Sequence, residues 1–428
     1  MSERFFSMKE AIREANRCLS CKKPACQAAC PISNDIPEFI ESLGRGDIGE
    51  ARKIIARKSN LPAVCGRVCA HELQCEGHCV LEKSGKGGIK IGELERCVAD
   101  FAFDMELPVD KVMQKTRGNV AVIGSGPAGL TVAGDLAKLG FDSTVFEALS
   151  EPGGILLYGI PSFRLPKKIV RREIKTIEAL GVRFVTDCAA GVDVTVDALF
   201  EQGFDAVFIG SGSSIGKDLD LPGKELGGII QSSYLLRTNY LFQSGQLSRE
   251  EVMVDEGDKI IVIGSGNVAM DAARTAVRLG AGSVTVIARR GREDISALES
   301  ELIAAEKDGV NFSWHTSPLA YEAEGDRVCA MLVNTPEGKT SLDADKVFLA
   351  VGSRPANRIV STTSGIDTDG DGFVIIKDRP YGMTTRRGIF AGGDVVHRPA
   401  SVVLAMREAK RVAAGIAEYV NAVKLLEL

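Results

Sequence analysis

Residues 119–130 read NVAVIGSGPAGL, and this segment indicates the fold of the surrounding chain more clearly than any other. A run of apolar, mostly β-branched residues leads into the spacing Gly124-x-Gly126-x-x-Gly129. This pattern predicts a buried strand, a tight turn and a helix whose first amides can face a pyrophosphate. Glu147 ends the next predicted strand, where a carboxylate can accept hydrogen bonds from ribose hydroxyls. The stretch therefore predicts a dinucleotide site in a doubly wound α/β fold.

A second strand–turn–helix pattern follows further along the chain. KIIVIGSG (259–266) closely repeats the first strand and turn, with Ala269 in the position of the third glycine. Two similar strand-plus-glycine segments, FDAVFIGSGS (204–213) and ADKVFLAVGSRP (344–355), flank this second pattern. The repeat predicts two Rossmann-like domains, and the matching flanks predict that the second domain is inserted into the first.

The second pattern differs from the first where its second strand ends. The acidic residue is missing there, and Arg289 and Arg290 occupy the position instead. A carboxylate would repel a 2′-phosphate, whereas guanidinium groups can bind it with paired hydrogen bonds. The arginines therefore predict NADP(H) rather than NAD(H). The alternative is a solvated face on which Glu293 and Asp294 partly neutralise them.

Two nucleotide sites suggest one bound flavin and one exchangeable nicotinamide. GIFAGGDVV (388–396) supports this, because a hydrophobic strand that ends in Gly-Gly-Asp is frequent in flavoproteins. Asp394 is then expected near the ribityl or pyrophosphate region. A helix predicted from Ala400 onward would direct its N-terminal amides at the flavin ring, where negative charge grows on reduction.

Nine of the eleven cysteines lie in the first 97 residues. Thiols at this density form disulfides, bind zinc or hold iron–sulfur clusters, and a reducing compartment disfavours the disulfides. The separations suit zinc ribbons poorly, and a flavoprotein domain downstream favours electron transfer through two [4Fe–4S] clusters. Eight of these cysteines form two runs, which are Cys18, Cys21, Cys26, Cys30 and then Cys65, Cys69, Cys75, Cys79.

The cysteine-rich region itself has a helical pattern. Ile36, Phe39, Ile40 and Leu43 follow the spacing of a buried helix face, and residues 48–55 repeat it. Strand-like alternation is not visible before residue 104, and residues 105–117 read as a linker. We therefore expect an all-helical domain around the cofactors. Its histidines, His71 and His78, are expected to be solvated or capping residues.

Composition argues against some functions, and we expect the protein to be cytoplasmic. A net charge of −5 gives no broad basic surplus for nucleic-acid binding. The first residues, MSERFFSMKEAIREANR, are charged and contain no apolar core of a secretory signal. The most apolar stretch, residues 120–134, is too short to span a bilayer.

Several motifs occur in one order over nearly the whole chain: GSGPAGL, EPGG with ILLYGIPSFRLP, GSGNVAMDAAR and IFAGGD. Together with the cysteine runs they resemble the small (β) subunit of NADPH-dependent glutamate synthase and its relatives. These relatives include the N-terminal half of dihydropyrimidine dehydrogenase and the large subunit of electron-bifurcating, NADH-dependent ferredoxin:NADP oxidoreductase. The resemblance implies FAD, NAD(P)H and two [4Fe–4S] clusters in the N-terminal domain.

The resemblance also implies cluster ligands that do not follow the two runs. Cys65 and Cys97 would be spare, although Cys97 remains an alternative to Glu95. One cluster would be bound by Cys18, Cys21, Cys26 and Cys79, and the other by Cys30, Cys69, Cys75 and Glu95.

The motifs define the expected domains and nucleotide contacts. The helical domain is expected at 1–115, the FAD domain at 116–217 and 346–428, and the NADP(H) domain at 218–345. The expected FAD contacts are Gly124, Gly126, Pro127, Ala128, Gly129, Glu147, Gly154, Ile155, Leu156, Arg164, Gly212, Gly393, Asp394, Ser401, Val402 and Val403. The expected NADP(H) contacts are Gly264, Gly266, Asn267, Val268, Arg289 and Arg290, and Gly352, within the expected FAD domain, is a further expected cofactor contact.

The expected function is electron transfer within a multi-subunit oxidoreductase. Hydride would be exchanged between NADP(H) and FAD, and single electrons between FAD and two clusters, to or from a partner subunit in a hetero-oligomer. One alternative is a subunit of a bifurcating ferredoxin:NAD(P) oxidoreductase or transhydrogenase, with ferredoxin as partner. Another is a non-catalytic module that uses zinc and a nucleotide for structure.

Overall fold

The computed structural model describes residues 6–108 and 114–426, so part of the expected linker, residues 109–113, lies outside the described residues. Two compact units are present. The first contains the described residues of 1–156, 163–213 and 355–428, and the second contains residues 157–162 and 214–354. In the described ranges, none of the helices combines the length and apolar character needed to cross a bilayer.

The cysteine-rich region is helical, as predicted. Ile36, Phe39, Ile40 and Leu43 are all buried in its core. Predicted cluster ligands lie at helix ends, where Cys30 and Cys69 follow helices and Cys79 precedes one. The helices are α1 (Met8–Ala15), α2 (Ala25–Ala29), α3 (Ile36–Gly44), α4 (Ile48–Lys58), α5 (Pro62–Val68), α6 (Val80–Lys83) and α7 (Ile91–Asp104).

Strands and helices alternate through much of the remainder of the chain. The strands are β1 (Asn119–Ile123), β2 (Asp142–Phe146), β3 (Arg183–Val185), β4 (Ala206–Ile209), β5 (Ile215–Gly216), β6 (Ile229–Gln231), β7 (Lys259–Ile263), β8 (Ser283–Ile287), β9 (Asn311–Ser313), β10 (Ser317–Glu324), β11 (Arg327–Thr335), β12 (Gly338–Asp343), β13 (Lys346–Leu349), β14 (Ser353–Arg354), β15 (Ile376–Asp378), β16 (Tyr381–Thr384) and β17 (Ile389–Ala391). The helices are α8 (Pro127–Lys138), α9 (Ile155–Tyr158), α10 (Lys167–Ala179), α11 (Val196–Glu201), α12 (Ser232–Gln243), α13 (Asn267–Arg278), α14 (Glu299–Lys307), α15 (Arg358–Ser361) and α16 (Val402–Leu426).

The first unit is built on a seven-stranded sheet of order β15-β16-β17-β4-β1-β2-β3. The strands β17, β4, β1, β2 and β3 are parallel, and β15 and β16 form an antiparallel edge. Residues 120–123 of β1 are buried, which explains why the strand reads as a continuous apolar run. This is the doubly wound arrangement predicted for a nucleotide-binding domain.

The second unit repeats this arrangement with a five-stranded parallel sheet of order β6-β13-β7-β8-β9. Strands β10, β11 and β12 add a separate antiparallel sheet that no sequence motif indicated. The FAD domain was expected to resume at residue 346, but β13 pairs with β7 through Val347 and Ile261. The first unit therefore resumes at Pro355. A strand-plus-glycine pattern does not reveal which sheet receives the strand.

Candidate functional site

The three glycines of the first turn have different structural roles. Gly124 has a φ of +92°, and a Cβ there would lie 2.7 Å from the carbonyl oxygen of Gly210. A Cβ on Gly129 would lie 1.9 Å from the carbonyl oxygen of Gly124, so α8 packs directly on the turn. A Cβ on Gly126 would meet no atom within 4 Å. This open space beside the start of α8 fits a pyrophosphate.

Glu147 is fixed beside this turn. Its Oε2 accepts hydrogen bonds from the Ser125 amide at 3.0 Å and the Ser125 hydroxyl at 2.5 Å. Its Oε1 accepts from the amide of Leu149 at 3.0 Å. A carboxylate has about four acceptor positions, so one remains for a ribose hydroxyl. The position of Glu147 therefore fits the predicted role.

Two other predicted segments of the first unit lie against the same turn. A Cβ on Gly154 would lie 2.8 Å from Cα of Gly126, and a Cβ on Gly393 would lie 2.8 Å from Cβ of Ala128. Asp394 follows, and its burial raises the pKa of this carboxyl to about 6. A partly desolvated carboxylate is stabilised by a hydrogen-bond donor, and a flavin side chain offers hydroxyl donors. The dispersed sequence motifs thus meet at one site.

The other predicted FAD contacts lie on short connections and helix starts. Ser401 precedes α16, and its hydroxyl accepts a hydrogen bond from the amide of Leu404 at 3.4 Å. Gly212 has a φ of +70° in the loop after β4. The remaining ones are Pro127 at the start of α8, Ile155 and Leu156 in α9, Arg164 in the loop before α10, and Val402 and Val403 in the first turn of α16.

The glycine-rich turn of the second unit resembles that of the first. Gly264 has a φ of +136°, and a Cβ on Gly266 would meet only the Ser296 hydroxyl oxygen, at 3.4 Å. Ala269 is fully buried, so the third position accommodates a methyl group. Val268 is exposed in the first turn of α13. The predicted residues Asn267 and Gly352 lie in the first turn of α13 and in the loop after β13.

The arginines after β8 fall into two groups. Arg292 is paired with Glu299, at 2.7 Å, and with Glu306. Arg289 and Arg290 are exposed, and among the described residues neither forms an ion pair. Their charges remain available for an anion, as NADP(H) binding requires.

Replacing Arg289 and Arg290 together with alanine is expected to raise the KM for NADPH about tenfold or more, since each charge-assisted hydrogen bond contributes about 1.5–3 kcal/mol. The KM for NADH should change little. Steady-state rates with both nucleotides measure the effect. Arg292→Ala is the matched control, because that arginine already pairs with carboxylates. Equal losses for both nucleotides would exclude recognition of the 2′-phosphate.

The cysteines line two cavities, and each cavity contains cysteines from both sequence runs. The first cysteine cavity is lined by Cys18, Cys21, Cys26 and Cys79. The second cysteine cavity is lined by Cys30, Cys69, Cys75 and Glu95. Among the described residues, no three His, Cys, Asp or Glu side chains are grouped so that they could hold a single metal ion.

Two further cysteines lie near these sets. Cys65 also lines the second cysteine cavity, and its thiol is 3.7 Å from the sulfur of Met406 in α16. The thiol of Cys97 points elsewhere, since it donates to the carbonyl oxygen of Phe6 at 3.4 Å. The second cysteine cavity is therefore lined by Glu95, while Cys97 lies outside it.

The chemistry of both cavities fits an iron–sulfur cluster. Burial raises the pKa of Cys26 and of Cys30 to about 11, so these thiols bind a cation only with release of a proton. Burial raises the pKa of Glu95 to about 8. The side-chain amide of Asn34 donates to Oε1 of Glu95 at 3.3 Å and so orients the carboxyl.

His71 is a site residue that the sequence reasoning missed. It was expected to be solvated or capping, but it lines the second cysteine cavity. Desolvation lowers its pKa to about 4, and within the described ranges its buried Nε2 has no hydrogen-bond partner. Gly92 makes room for the ring, because a Cβ there would lie 2.4 Å from Cε1 of His71. The other ring nitrogen is held by the backbone of Cys65, so the neutral imidazole leaves Nε2 as a buried acceptor without a partner among the described residues, which fits a site completed by a group that is not part of the chain.

Helix α5, which carries Cys65 and precedes Cys69, is attached to the flavoprotein part of the first unit. The buried side chain of Glu173 in α10 accepts a hydrogen bond from the amide of Ala63 at 2.5 Å. Burial raises the pKa of Glu173 to about 8. A carboxyl group at this helix N-terminus stabilises α5 by capping it.

This raised pKa predicts a pH-dependent stability. The unfolded carboxyl loses its proton near pH 4.5 and the folded one near pH 8, so the free energy of unfolding should fall as pH rises through this window. The contribution of Glu173 to this slope is at most ~1.4 kcal/mol per pH unit. Glu173→Gln should lower the slope by up to that amount in denaturant titrations at several pH values, and the slope that remains comes from Glu95, whose pKa burial raises over the same window. Glu178→Gln, on the exposed side of the same helix, is the control and should leave the slope in place.

Comparisons with known proteins place these features in a family. Residues 2–107 match the family described as dihydropyrimidine dehydrogenase domain II, 4Fe-4S cluster, and residues 118–409 match the pyridine nucleotide-disulphide oxidoreductases. The glutamate synthase [NADPH] small chain of Halomonas elongata is 34% identical, over 97% of this chain and 92% of that protein. The NAD-dependent dihydropyrimidine dehydrogenase subunit PreT of Salmonella typhimurium is 33% identical, over 96% and 94%.

A solved structure shows the same fold in the flavoprotein part. The Mycobacterium tuberculosis protein FprA, in complex with NADPH, has a TM-score of 0.59 and 19% identity, and the match covers 72% of this chain and 86% of FprA. The family matches identify an NAD(P)H-dependent oxidoreductase with an N-terminal iron–sulfur domain. This chain therefore belongs to the family of the small chains of NADPH-dependent glutamate synthase.

Proposed function

We propose that this protein is the electron-transfer subunit of a hetero-oligomeric oxidoreductase, exchanging electrons between NADP(H) and a partner subunit through FAD and two [4Fe–4S] clusters. FAD held by the first unit would supply the exchange between two-electron hydride chemistry and one-electron steps, and clusters held by the two cysteine cavities would supply one-electron conduction. The observation that carries the proposal is the position of Val403. It belongs to the first turn of α16, the predicted flavin contact, and it also lines the second cysteine cavity.

The residues of the first unit would bind and orient the flavin. The open space at Gly126 would admit the pyrophosphate, and Glu147 would accept a ribose hydrogen bond. Amide groups in the first turn of α16, around Val402, would stabilise negative charge on the ring. Each of these groups of the protein would therefore face a charged group or a hydroxyl of the cofactor.

Separate residues would hold the clusters and define two electron carriers. The first cysteine cavity supplies four thiols, and the second supplies three thiols and the carboxyl of Glu95. An oxygen ligand keeps the charge of a thiolate and changes the covalency of the metal–ligand bond, so the two clusters would differ in reduction potential.

The names of the relatives support a partner. One is the small chain of an NADPH-dependent enzyme and the other is a subunit of an NAD-dependent one. We infer that this chain delivers electrons to, or receives them from, a second subunit. The exposed Arg289 and Arg290 favour NADPH as the nucleotide.

Rapid mixing of the anaerobically purified protein with NADPH tests the proposal. We expect flavin bleaching first and cluster reduction second, with two distinct cluster signals in electron paramagnetic resonance. Co-purification from the source cell should recover the partner subunit. A protein free of iron, or one whose flavin NADPH cannot reduce, would contradict the proposed function.

A further inference from the structure

The first cysteine cavity opens to the surface beside two exposed apolar side chains. Leu19 is 59% exposed and Val80 is 45% exposed, and both line this cavity together with the cysteines. Each lies next to a predicted ligand, Leu19 after Cys18 and Val80 after Cys79. Single exposed apolar residues are common on protein surfaces, but two at the mouth of one cofactor cavity indicate a contact surface.

Exposed lysines lie close in sequence to both of these apolar residues. Lys22 and Lys23 continue the loop that carries Leu19, while Lys83 ends the helix that Val80 begins. Lys86 follows in the next loop, which is attached to the first loop because Nη2 of Arg17 donates to the Lys86 carbonyl oxygen at 3.1 Å.

The basic charge of this surface is not neutralised locally. Among the described residues, the four lysines form no ion pair, and the chain from residue 15 to residue 34 contains no acidic residue. Of the two nearby carboxylates, Glu14 pairs with Arg17 at 2.7 Å, whereas Glu82 accepts from the amide of Gly88 at 2.5 Å and keeps its charge, so four lysines face one unpaired carboxylate. The protein as a whole has a net charge of −5, so this patch opposes the overall charge.

The two cavities differ in how close they come to the surface. The four cysteines of the first cysteine cavity are half-buried, whereas in the second Cys75 and Glu95 are buried and Cys30 and Cys69 are half-buried. The second cavity is lined by Val403, which belongs to α16. Electrons that leave the flavin side would therefore reach the surface at the first cavity.

We infer that the patch formed by Leu19, Val80, Lys22, Lys23, Lys83 and Lys86, here called the lysine rim, docks an acidic redox protein. An apolar centre with a charged border is the usual composition of a transient interface, and opposite charges accelerate encounter. The inference rests on the proposed function and specifies its partner. That partner would present its own redox centre at an apolar surface bordered by carboxylates.

Native cytochrome c and succinylated cytochrome c test this inference, because they share one haem and differ in the sign of their surface charge. With NADPH as donor at low ionic strength, the holoprotein should reduce the succinylated form about tenfold faster or more, and added salt should remove the difference. Lys22→Glu with Lys23→Glu should abolish the preference, as should Lys83→Glu with Lys86→Glu. Leu19→Ser with Val80→Ser should slow reduction of the succinylated form.

Lys339→Glu with Lys377→Glu is the matched control, since it changes the net charge equally at exposed positions that are not part of the lysine rim. The inference is overturned if wild-type protein shows no preference for the succinylated cytochrome. It is also overturned if the control variant loses as much of that preference as the lysine-rim variants do. Cluster absorbance establishes that each variant is loaded. Failure of NADPH to reduce the flavin or the clusters would instead contradict the proposed function.

Discussion

Replacing Cys18 and Cys79 together with serine is expected to remove one cluster and leave the other intact. Both thiols line the first cysteine cavity, although they belong to different sequence runs. Iron and acid-labile sulfide should fall by roughly half, since each cluster carries the same amount of both. The flavin should remain bound, because neither residue is among the predicted flavin contacts.

The crossed variant makes this prediction decisive. Cys18→Ser with Cys30→Ser removes the first and last members of one sequence run but one residue from each cavity. We expect both clusters to be lost, with nearly complete loss of iron. If each run bound its own cluster, the two double variants would behave in the opposite way: Cys18 with Cys79 would cost both clusters, and Cys18 with Cys30 only one.

Iron analysis and electron paramagnetic resonance of the dithionite-reduced proteins distinguish these outcomes. Cys97→Ser is the control, because its thiol bonds to the carbonyl oxygen of Phe6 and lies outside both cavities. Its clusters should be unchanged. Loss of the second cluster in Cys97→Ser would assign Cys97 rather than Glu95 as the fourth ligand.

The two glycine-rich turns could be predicted from sequence because their steric and dihedral requirements involve residues that are close together in the chain. Gly124 needs a positive φ, Gly129 leaves no room for a side chain, and both requirements act within a few residues of the chain. The alternation of strand, turn and helix therefore identifies the fold class directly. The domain boundary near Lys346 was harder to predict from sequence, since β13 pairs with β7, a strand far away in sequence.

The assignment of cysteines to the two cavities also could not be predicted from sequence spacing. Spacing alone divides the cysteines into two runs, yet Cys30 and Cys79 each line a cavity with members of the other run. The family resemblance supplied this crossing, and spacing did not. His71 was missed for a related reason: its burial depends on Gly92, which is distant in sequence and gives space only in the folded domain.

Gly129→Ala and Gly126→Ala are expected to separate folding from flavin binding. The Cβ that Gly129→Ala adds would lie 1.9 Å from the carbonyl oxygen of Gly124, which cannot move without opening the turn or displacing α8. Overpacking in a rigid core typically costs ~1–3 kcal/mol, and contact with backbone places this variant at or above the upper end. Lower unfolding midpoints and loss of flavin should both follow.

Gly126→Ala should instead leave the flavin-free protein as stable as wild type. Its φ of −69° and ψ of −177° suit alanine, and the added methyl meets no protein atom within 4 Å. The methyl group does occupy the space proposed for the pyrophosphate, so the Kd for FAD should rise about tenfold or more. Titration of deflavinated protein and thermal unfolding measure the two effects separately. Unchanged FAD affinity in Gly126→Ala would place the pyrophosphate elsewhere, since a phosphate at this turn and a Cβ on Gly126 compete for the same volume.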